Sequence, residues 1–536
     1  MATQTTNIPG SGYGNVYLDS LIWGVGWTDT ATPIRYWFGS GLNVLPSGFP
    51  TFTSFFIGDA WTVPEKSAFE AVMAQYSAVC NLTFIEAQSG SVTDADIVWW
   101  KAPGSVMVYP KGKPVDGAHE VPNAVGQQIN GYFNYETPTW QYLEKGQYGY
   151  VTVLHELGHA MGLAHPHDGG VEADATTFPG VTGPSSTGTN GLNQGIWTTM
   201  SYNRGWDQEQ PHQTYGQQGT LMAFDIAALQ ALYGANMSTA TGADFYQLPA
   251  ALGPGTYWEC IWDAGGYDGI SNAGSASACI INLNAAPLTG ANAAGYVSYI
   301  PGIPGGFTIA NGVVIENAIG GWGDDNLVGN AAGNTLDGGG GADTMSGGAG
   351  NDLYWVDNVK DKVVESSGSG YDSVVSTISL TLAANVESLY LPWGNLSGTG
   401  NALDNNLCGG SGNNTLSGKD GNDWLWGGAG ADTLTGGKGA DTFFWSIGKS
   451  AVGAGLRDVI TDFNAAQGDK IDVTFLFGGP IVGAFTYIGA AAFSAAWQQL
   501  RFENGILSGE TTGDGVADFE IQLSGVRSFD AASLIL

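Results

Sequence analysis

Apolar residues recur along the first part of the chain with two different periods. Between Ser67 and Val79, the side chains of Phe69, Val72, Met73 and Tyr76 fall three or four positions apart, the spacing of one helix face. Tyr148 to Leu163 reads as a second helix that stops near Gly162. Ala223 to Tyr233 reads as a third, with Phe224, Ile226, Leu229 and Leu232 available to a core. Asp96 to Trp100 and Ser105 to Tyr109 are short apolar runs that predict strands. Helices and strands mixed in this way, from about Tyr13 to Tyr233, predict an α/β or α+β domain of catalytic size.

After Gly234 the helical texture fades, and Gly, Asn and Asp separate short apolar stretches. Turns begin at Gly320, Gly329, Gly338 and Gly347, a strict period of nine, and again at Gly400, Gly409, Gly418, Gly427 and Gly436. The segment from Gly320 to Leu327 fits the G-G-x-G-x-D-x-apolar pattern at every position. In such a repeat the first six residues turn and the last three form a strand. The eighth then points inward: Leu327, Leu336, Met345 and Tyr354 in the first array, Leu407, Leu416, Leu425, Leu434 and Phe443 in the second. Between the arrays, Val356 to Gly398 holds strand-like runs at Asp372 to Ile378 and Val386 to Leu391 and reads as an insertion. From Asp458 onward further strands are expected. The expectation is a multidomain chain in which an α+β domain precedes an all-β parallel β-roll.

Composition supports this reading. The chain has 536 residues, of which 84 are glycine, an excess that the repeats account for. Its formal net charge is −33, from 49 acidic and 16 basic residues, which disfavours nucleic-acid binding because phosphate contacts need Lys and Arg. The acidity has a use as calcium ligation. Asp325, Asp343, Asp352, Asp423, Asp432 and Asp441 hold the sixth position of their turns. Turn carbonyls at Gly321, Gly323, Gly339, Gly341, Gly348, Gly350, Gly428, Gly430, Gly437 and Gly439 would complete several hard-oxygen sites. Asn334, Asn405 and Asn414 replace the carboxylate in three turns, where sites should be weaker or absent. The four cysteines form no CxxC pair; Cys260 and Cys279 either bridge or remain buried thiols. No 18-residue apolar stretch is present, so no membrane insertion is expected. Met1 to Gly14 lacks the charged and apolar regions of a secretory signal, so export would need another route.

The chemistry concentrates at His155-Glu156-Leu157-Gly158-His159. On a helix, two histidines four apart share a face and reach one ion, with Glu156 placed to take a proton from water. Gly162 permits a sharp turn, after which His165 returns as a third imidazole. Three neutral imidazoles leave a fourth position open, as a catalytic zinc requires. His119, His167 and His212 are not assigned as ligands, and His167 is expected at the surface.

The run from His155 to His165 resembles the extended zinc motif of the metzincins, and Thr199-Met200-Ser201-Tyr202 resembles their Met-turn. The Met-Ser-Tyr form is similar to the serralysins, secreted bacterial proteases. Asn15 to Asp19, Asp225 to Gln230, Ile261 to Gly266 and Glu316 to Gly321 carry the likeness through most of the chain. The resemblance implies one catalytic zinc on His155, His159 and His165, with Tyr202 as an additional resting ligand that later helps hold the oxyanion. It also implies Met200 beneath the imidazoles, Glu156 as general base, and several structural calcium ions.

The expected domains are a short propeptide or N-terminus over 1–14, a metzincin zinc-protease domain over 15–240, and an RTX β-roll over 241–536. The roll has repeats at 320–355 and 400–444 and carries a C-terminal secretion signal. Protein and peptide substrates are expected, on an edge strand near Ser105 to Tyr109, together with a type I exporter, a proteinaceous periplasmic inhibitor, extracellular localisation and a monomer. The last residues, Ser533 to Leu536, lack the acidic residue that often precedes the final apolar three in that family. The rival reading is a non-enzymatic calcium-dependent surface or adhesion protein with a lapsed protease domain. An RTX lipase would need a G-x-S-x-G elbow, and the Gly-Ser-Gly segments at Ser369 and Ser411 lie among the repeats instead.

Overall fold

A computed structural model describes residues 2–5, 12–43, 56–88, 92–108, 114–122, 127–168, 176–447, 451–476, 479–480 and 484–536. The chain divides into two compact units, one of residues 1–272 and 279–315, the other of residues 273–278 and 316–536.

In the first unit, a sheet is ordered Phe84–Glu86, Ile34–Gly39, Ile97–Ala102, Ile129–Asn134 and Gly117–His119. The first four strands are parallel and the last is antiparallel to its neighbour. Ile97–Ala102 is buried at every position, as a central strand covered on both faces should be. Among the described residues, four α-helices belong to this unit: α1 (Val16–Leu21), α2 (Val63–Val79), α3 (Tyr148–Ala160) and α4 (Ala223–Tyr233). The helix expected from Ser67 begins at Val63 because Thr62 and Glu65 form a reciprocal capping box. The helix expected to reach Leu163 ends at Ala160, where Gly162 turns the chain with φ of 88°.

One expectation fails. Ser105 to Val108 is not a strand. Pro103 and Gly104 end the preceding strand in a turn, with Val106 N–H donating to the Pro103 carbonyl, and Val108 makes a single bridge to Pro114. Val106 and Met107 are apolar because they fill the core under that turn, not because they alternate along a sheet. Tyr109 lies outside the described residues. The edge of the sheet is Gly117–His119 instead. Cys260 is a buried thiol, so it makes no bridge to Cys279.

The second unit is a right-through stack of parallel strands. One sheet runs Asn317–Ile319, Thr335–Asp337, Leu353–Val356, Ser373–Ser376, Ser388–Trp393, Asn406–Ser411, Trp424–Trp426, Thr442–Ile447 and Lys470–Leu476, each parallel to the next. The intervening strands pair among themselves in the same way, as Asn326–Val328 does with Thr344–Ser346 and Thr415–Asp420 with Thr433–Lys438. Two nonapeptides therefore make one coil, and each strand pairs with the strand one coil on. Every predicted inward residue, from Leu327 to Phe443, is 0% exposed. The stretch from Val356 to Gly398, expected with the second array as an insertion relative to shorter serralysins, continues the first sheet in register through its strands Ser373–Ser376 and Ser388–Trp393.

Candidate metal and catalytic centre

Helix α3 places His155 and His159 on one face, and the turn at Gly162 brings back His165. Their Nε2 atoms converge: His165 Nε2 lies 3.1 Å from that of His155 and 3.1 Å from that of His159. Each Nδ1 faces an oxygen. His155 Nδ1 is 2.8 Å from the Thr199 carbonyl, His159 Nδ1 is 2.8 Å from the Leu163 carbonyl, and His165 Nδ1 donates to the Asp168 carboxylate. With the proton held on Nδ1, every Nε2 lone pair points into the shared space, the arrangement a metal needs. Burial lowers the His155 pKa to about 4 and holds His159 and His165 well below the ordinary value, so all three imidazoles are neutral. The donor set fits a zinc ion.

The turn that supplies His165 is over-determined. A side chain at Gly162 would collide with the Val25 carbonyl, and its backbone lies in the left-handed region. The segment after α1 straps the turn down, with Trp23 N–H donating to the Gly162 carbonyl and Ala164 N–H to that of Leu21. Met200 is fully buried against α3, where a Cβ at Gly158 would lie 2.6 Å from its sulfur. The Met-turn is tied to α4 by Asp225, which accepts from Thr198 Oγ1 at 2.6 Å, Thr199 N–H at 2.7 Å and Met222 N–H at 3.0 Å. Asp225 therefore fixes the Thr199 carbonyl that orients His155.

Glu156 is 7% exposed and lines a cleft of about 230 Å³ with His155, Tyr148, Val151, Thr152, Asp116, Gly117, Tyr202 and Arg204. Burial, and secondarily the Asp116 carboxylate, raises its pKa to about 8. A dication among the imidazoles would pull that value back down. The edge strand passes directly over it: a Cβ at Gly117 would lie 2.7 Å from Glu156 Cγ. Tyr202 is 47% exposed at the rim, its ring centroid 5.7 Å from that of His155 and 4.7 Å from that of His165. His167, expected at the surface, is half-buried and stacks on His165 at 5.0 Å.

In the second unit, the six sixth-position aspartates are all buried, between 0% and 3% exposed. They form a ladder along the coils. Asp325 N–H donates to Asp343 Oδ1, Asn405 N–H to Asp423 Oδ1 and Asp423 N–H to Asp441 Oδ1. One oxygen of each carboxylate is thereby used. The other, Oδ2 of Asp343, Asp352, Asp423, Asp432 and Asp441, is buried without a hydrogen-bond donor. Burial, reinforced in most by neighbouring carboxylates, raises Asp343 and Asp423 to about 7 and Asp352, Asp432 and Asp441 to about 6. Buried anionic oxygens lacking donors fit a hard cation such as calcium. Gly339, Gly341, Gly348, Gly350, Gly428, Gly430, Gly437 and Gly439 take positive φ in the turns that flank them. The Gly320 turn differs: Gly321 N–H donates to Asp325 Oδ2, and Gly321 and Gly323 do not take positive φ. Where Asn replaces Asp, the amide donates instead, Asn334 to the Glu316 carbonyl and Asn414 to that of Gly394. Asn334 and Asn405 also accept through Oδ1, from Asn330 and Asn401 N–H, whereas Asn414 Oδ1 is buried without a donor, like the aspartate Oδ2 atoms.

Comparison with known proteins agrees with both halves. The family model for the serralysin C terminal of peptidase M10 matches residues 223–536, and the matrixin model matches residues 60–172. The chain belongs to the serralysin family of metzincins. Serralysin B of Dickeya chrysanthemi is 30% identical over 316 residues, covering 54% of this chain and 59% of that protein. Metallopeptidase AprA of Pseudomonas marginalis is 30% identical over 282 residues, 49% and 53% of the two chains. Serralysin of Proteus mirabilis is 31% identical over 278 residues, 47% and 50%. The chain thus spans about half the length of these curated relatives.

Several residues of this serralysin's sites escaped the sequence reading. Gly117 and Asp225 are set by tertiary contact, whereas Asp168 is local, three residues after His165. Asp361, Asp372, Asp458 and Asp469 extend the aspartate ladder beyond the regular repeats, accepting from Asp343, Asp352, Asp432 and Asp441. Their signal is an Asp two residues before an apolar strand position, at Asp361 still nine residues after Asp352 and at Asp372, Asp458 and Asp469 retained where that spacing is broken.

Two outcomes follow from this geometry. Gly117→Ala should leave bound zinc, measured by elemental analysis, unchanged while lowering kcat/KM on a peptide at least tenfold, since the new methyl displaces Glu156. The raised aspartates stabilise the calcium-free roll when protonated. That contribution is complete below the unfolded value near 4 and is lost as pH rises through about 6 to 7. In chelator, the β-sheet circular dichroism of the full chain should be retained at pH 5, fall by pH 8, and return at pH 8 on adding calcium.

Proposed function

We propose that this serralysin is a secreted zinc-dependent endopeptidase that hydrolyses extracellular proteins, with calcium stabilising its roll. The observation that carries this reading is the convergence of three neutral imidazoles beside a buried carboxylate, under an antiparallel edge strand.

His155, His159 and His165 would hold zinc through Nε2. When bound, zinc supplies Lewis acidity, polarising the scissile carbonyl and making water a stronger acid. Glu156 takes the proton of the attacking water and passes it to the leaving amine nitrogen. Its position under Gly117 keeps the carboxylate close to a peptide lying along Gly117–His119, which offers that peptide main-chain hydrogen bonds as an added strand. Tyr202, at the rim beside His155 and His165, donates its phenolic proton to the oxygen that gains charge. The cleft lined by Tyr148, Val151 and Arg204 receives a substrate side chain next to the cleaved bond. Each step needs Nδ1 of the three histidines to stay protonated, which Thr199, Leu163 and Asp168 ensure.

The test separates metal binding from turnover. Glu156→Gln should retain zinc and lose about 10²–10⁴-fold in kcat/KM; activity within tenfold of the parent contradicts the role. Tyr202→Phe should lower kcat by about 10²-fold with zinc content unchanged. An unaltered kcat assigns Tyr202 to packing.

A further inference from the structure

The long parallel sheet of the roll has two faces of different character. Inward, it carries the core residues. Outward, one row in register reads Trp355, Val375, Tyr390, Cys408 and Trp426. Phe444 extends the ring surface, 6.2 Å from Trp426 and stacked on Trp424 at 4.7 Å with 27° between planes. Trp355 is 37% and Tyr390 is 41% exposed, unusual for large rings on a sheet that already has a complete core on its other side.

Spacing and charge narrow what this face suits. Trp355, Tyr390 and Trp426 stand on every second strand of the row. Neighbouring strands lie about 4.8 Å apart, so these rings recur at about 10 Å along a straight line. The adjacent outward row supplies Ser373, Ser388, Asn406 and Thr442, which present hydroxyl and amide groups beside the rings. Neither row carries a charge between Leu353 and Phe444, in a chain with 49 acidic residues. Charges return only beyond it, at Asp337 on one side and at Lys470 and Asp472 on the other.

We propose that this face binds an extended, neutral β-1,4-linked polysaccharide. The C–H face of a pyranose packs on an aromatic ring while its hydroxyl edge needs donors and acceptors alongside, and the two rows offer both. A flat 1→4-β-linked chain repeats every second sugar, a distance matched by rings on every second strand. A polyanion would find no cation here, and a basic segment no carboxylate, so the uncharged rows select a neutral ligand. A one-dimensional periodic row also suits a repeating polymer better than an irregular protein surface. Such a site would hold the proposed peptidase against a glycan-coated substrate.

The experiment is isothermal titration of the full chain in calcium with cellohexaose and with chitohexaose, using alginate hexamer as the anionic contrast. Binding to a neutral hexamer and not to alginate is expected. Trp355→Ala and Tyr390→Ala should each weaken it at least tenfold, Tyr390→Phe should retain it, and Trp322→Ala, 70% exposed in the Gly320 turn, should leave it unchanged. Circular dichroism of each variant establishes that the roll is folded. Absence of binding to both neutral hexamers, or equal binding by Trp355→Ala and the parent, overturns the proposal. So does sedimentation showing a dimer that Trp355→Ala dissociates, because a second copy then covers the face.

Discussion

The first unit depends on one constraint: three imidazoles must each keep a proton on Nδ1 so that three Nε2 lone pairs meet. A neutral histidine has two tautomers, and only a fixed acceptor selects one. Each acceptor here is held by a different part of the chain. The Leu163 carbonyl is set by the Gly162 turn, which only glycine can make against Val25. Asp168 comes three residues after the ligand it orients. The Thr199 carbonyl is held by the Met-turn, whose backbone is bound to the buried carboxylate of Asp225 at the start of α4. Helix packing, turn and Met-turn therefore act on the same few atoms, and loosening any one releases a lone pair from the common point.

The roll answers a related constraint with oxygen in place of nitrogen. Its coils bring buried carboxylates one above another, and backbone N–H groups satisfy only one oxygen of each. The remaining oxygens are anionic, buried and mutually repelling, an arrangement that is costly without a counter-ion. Asparagine resolves the same position by donating to a carbonyl. Asn334 and Asn405 thus close their turns with hydrogen bonds on both amide atoms, while Asn414 keeps a buried oxygen without a donor.

Much of this was legible in the sequence because the informative residues are local. His155, Glu156, His159 and His165 lie within three turns' length of chain, and a helix followed by a glycine turn suffices to bring them together. The inward residues of the repeats are spaced by nine, so their burial follows from periodicity alone. What escaped depends on distance. Gly117 meets Glu156, and Asp225 meets Thr198 and Thr199, across gaps in sequence that no local pattern spans. Val106 and Met107 suggested a strand because a buried turn and a buried strand both require apolar side chains. The coils between the two arrays lose the glycine period because their turns vary in length, although Asp361 and Asp372 keep their place in the ladder.

The most direct measurement is an anomalous difference map from crystals of the full chain grown with zinc, with data collected on both sides of the zinc absorption edge. A single strong peak within bonding distance of Nε2 of His155, His159 and His165 is the predicted result. No peak at that point, or zinc bound through an Nδ1 atom, would contradict the account.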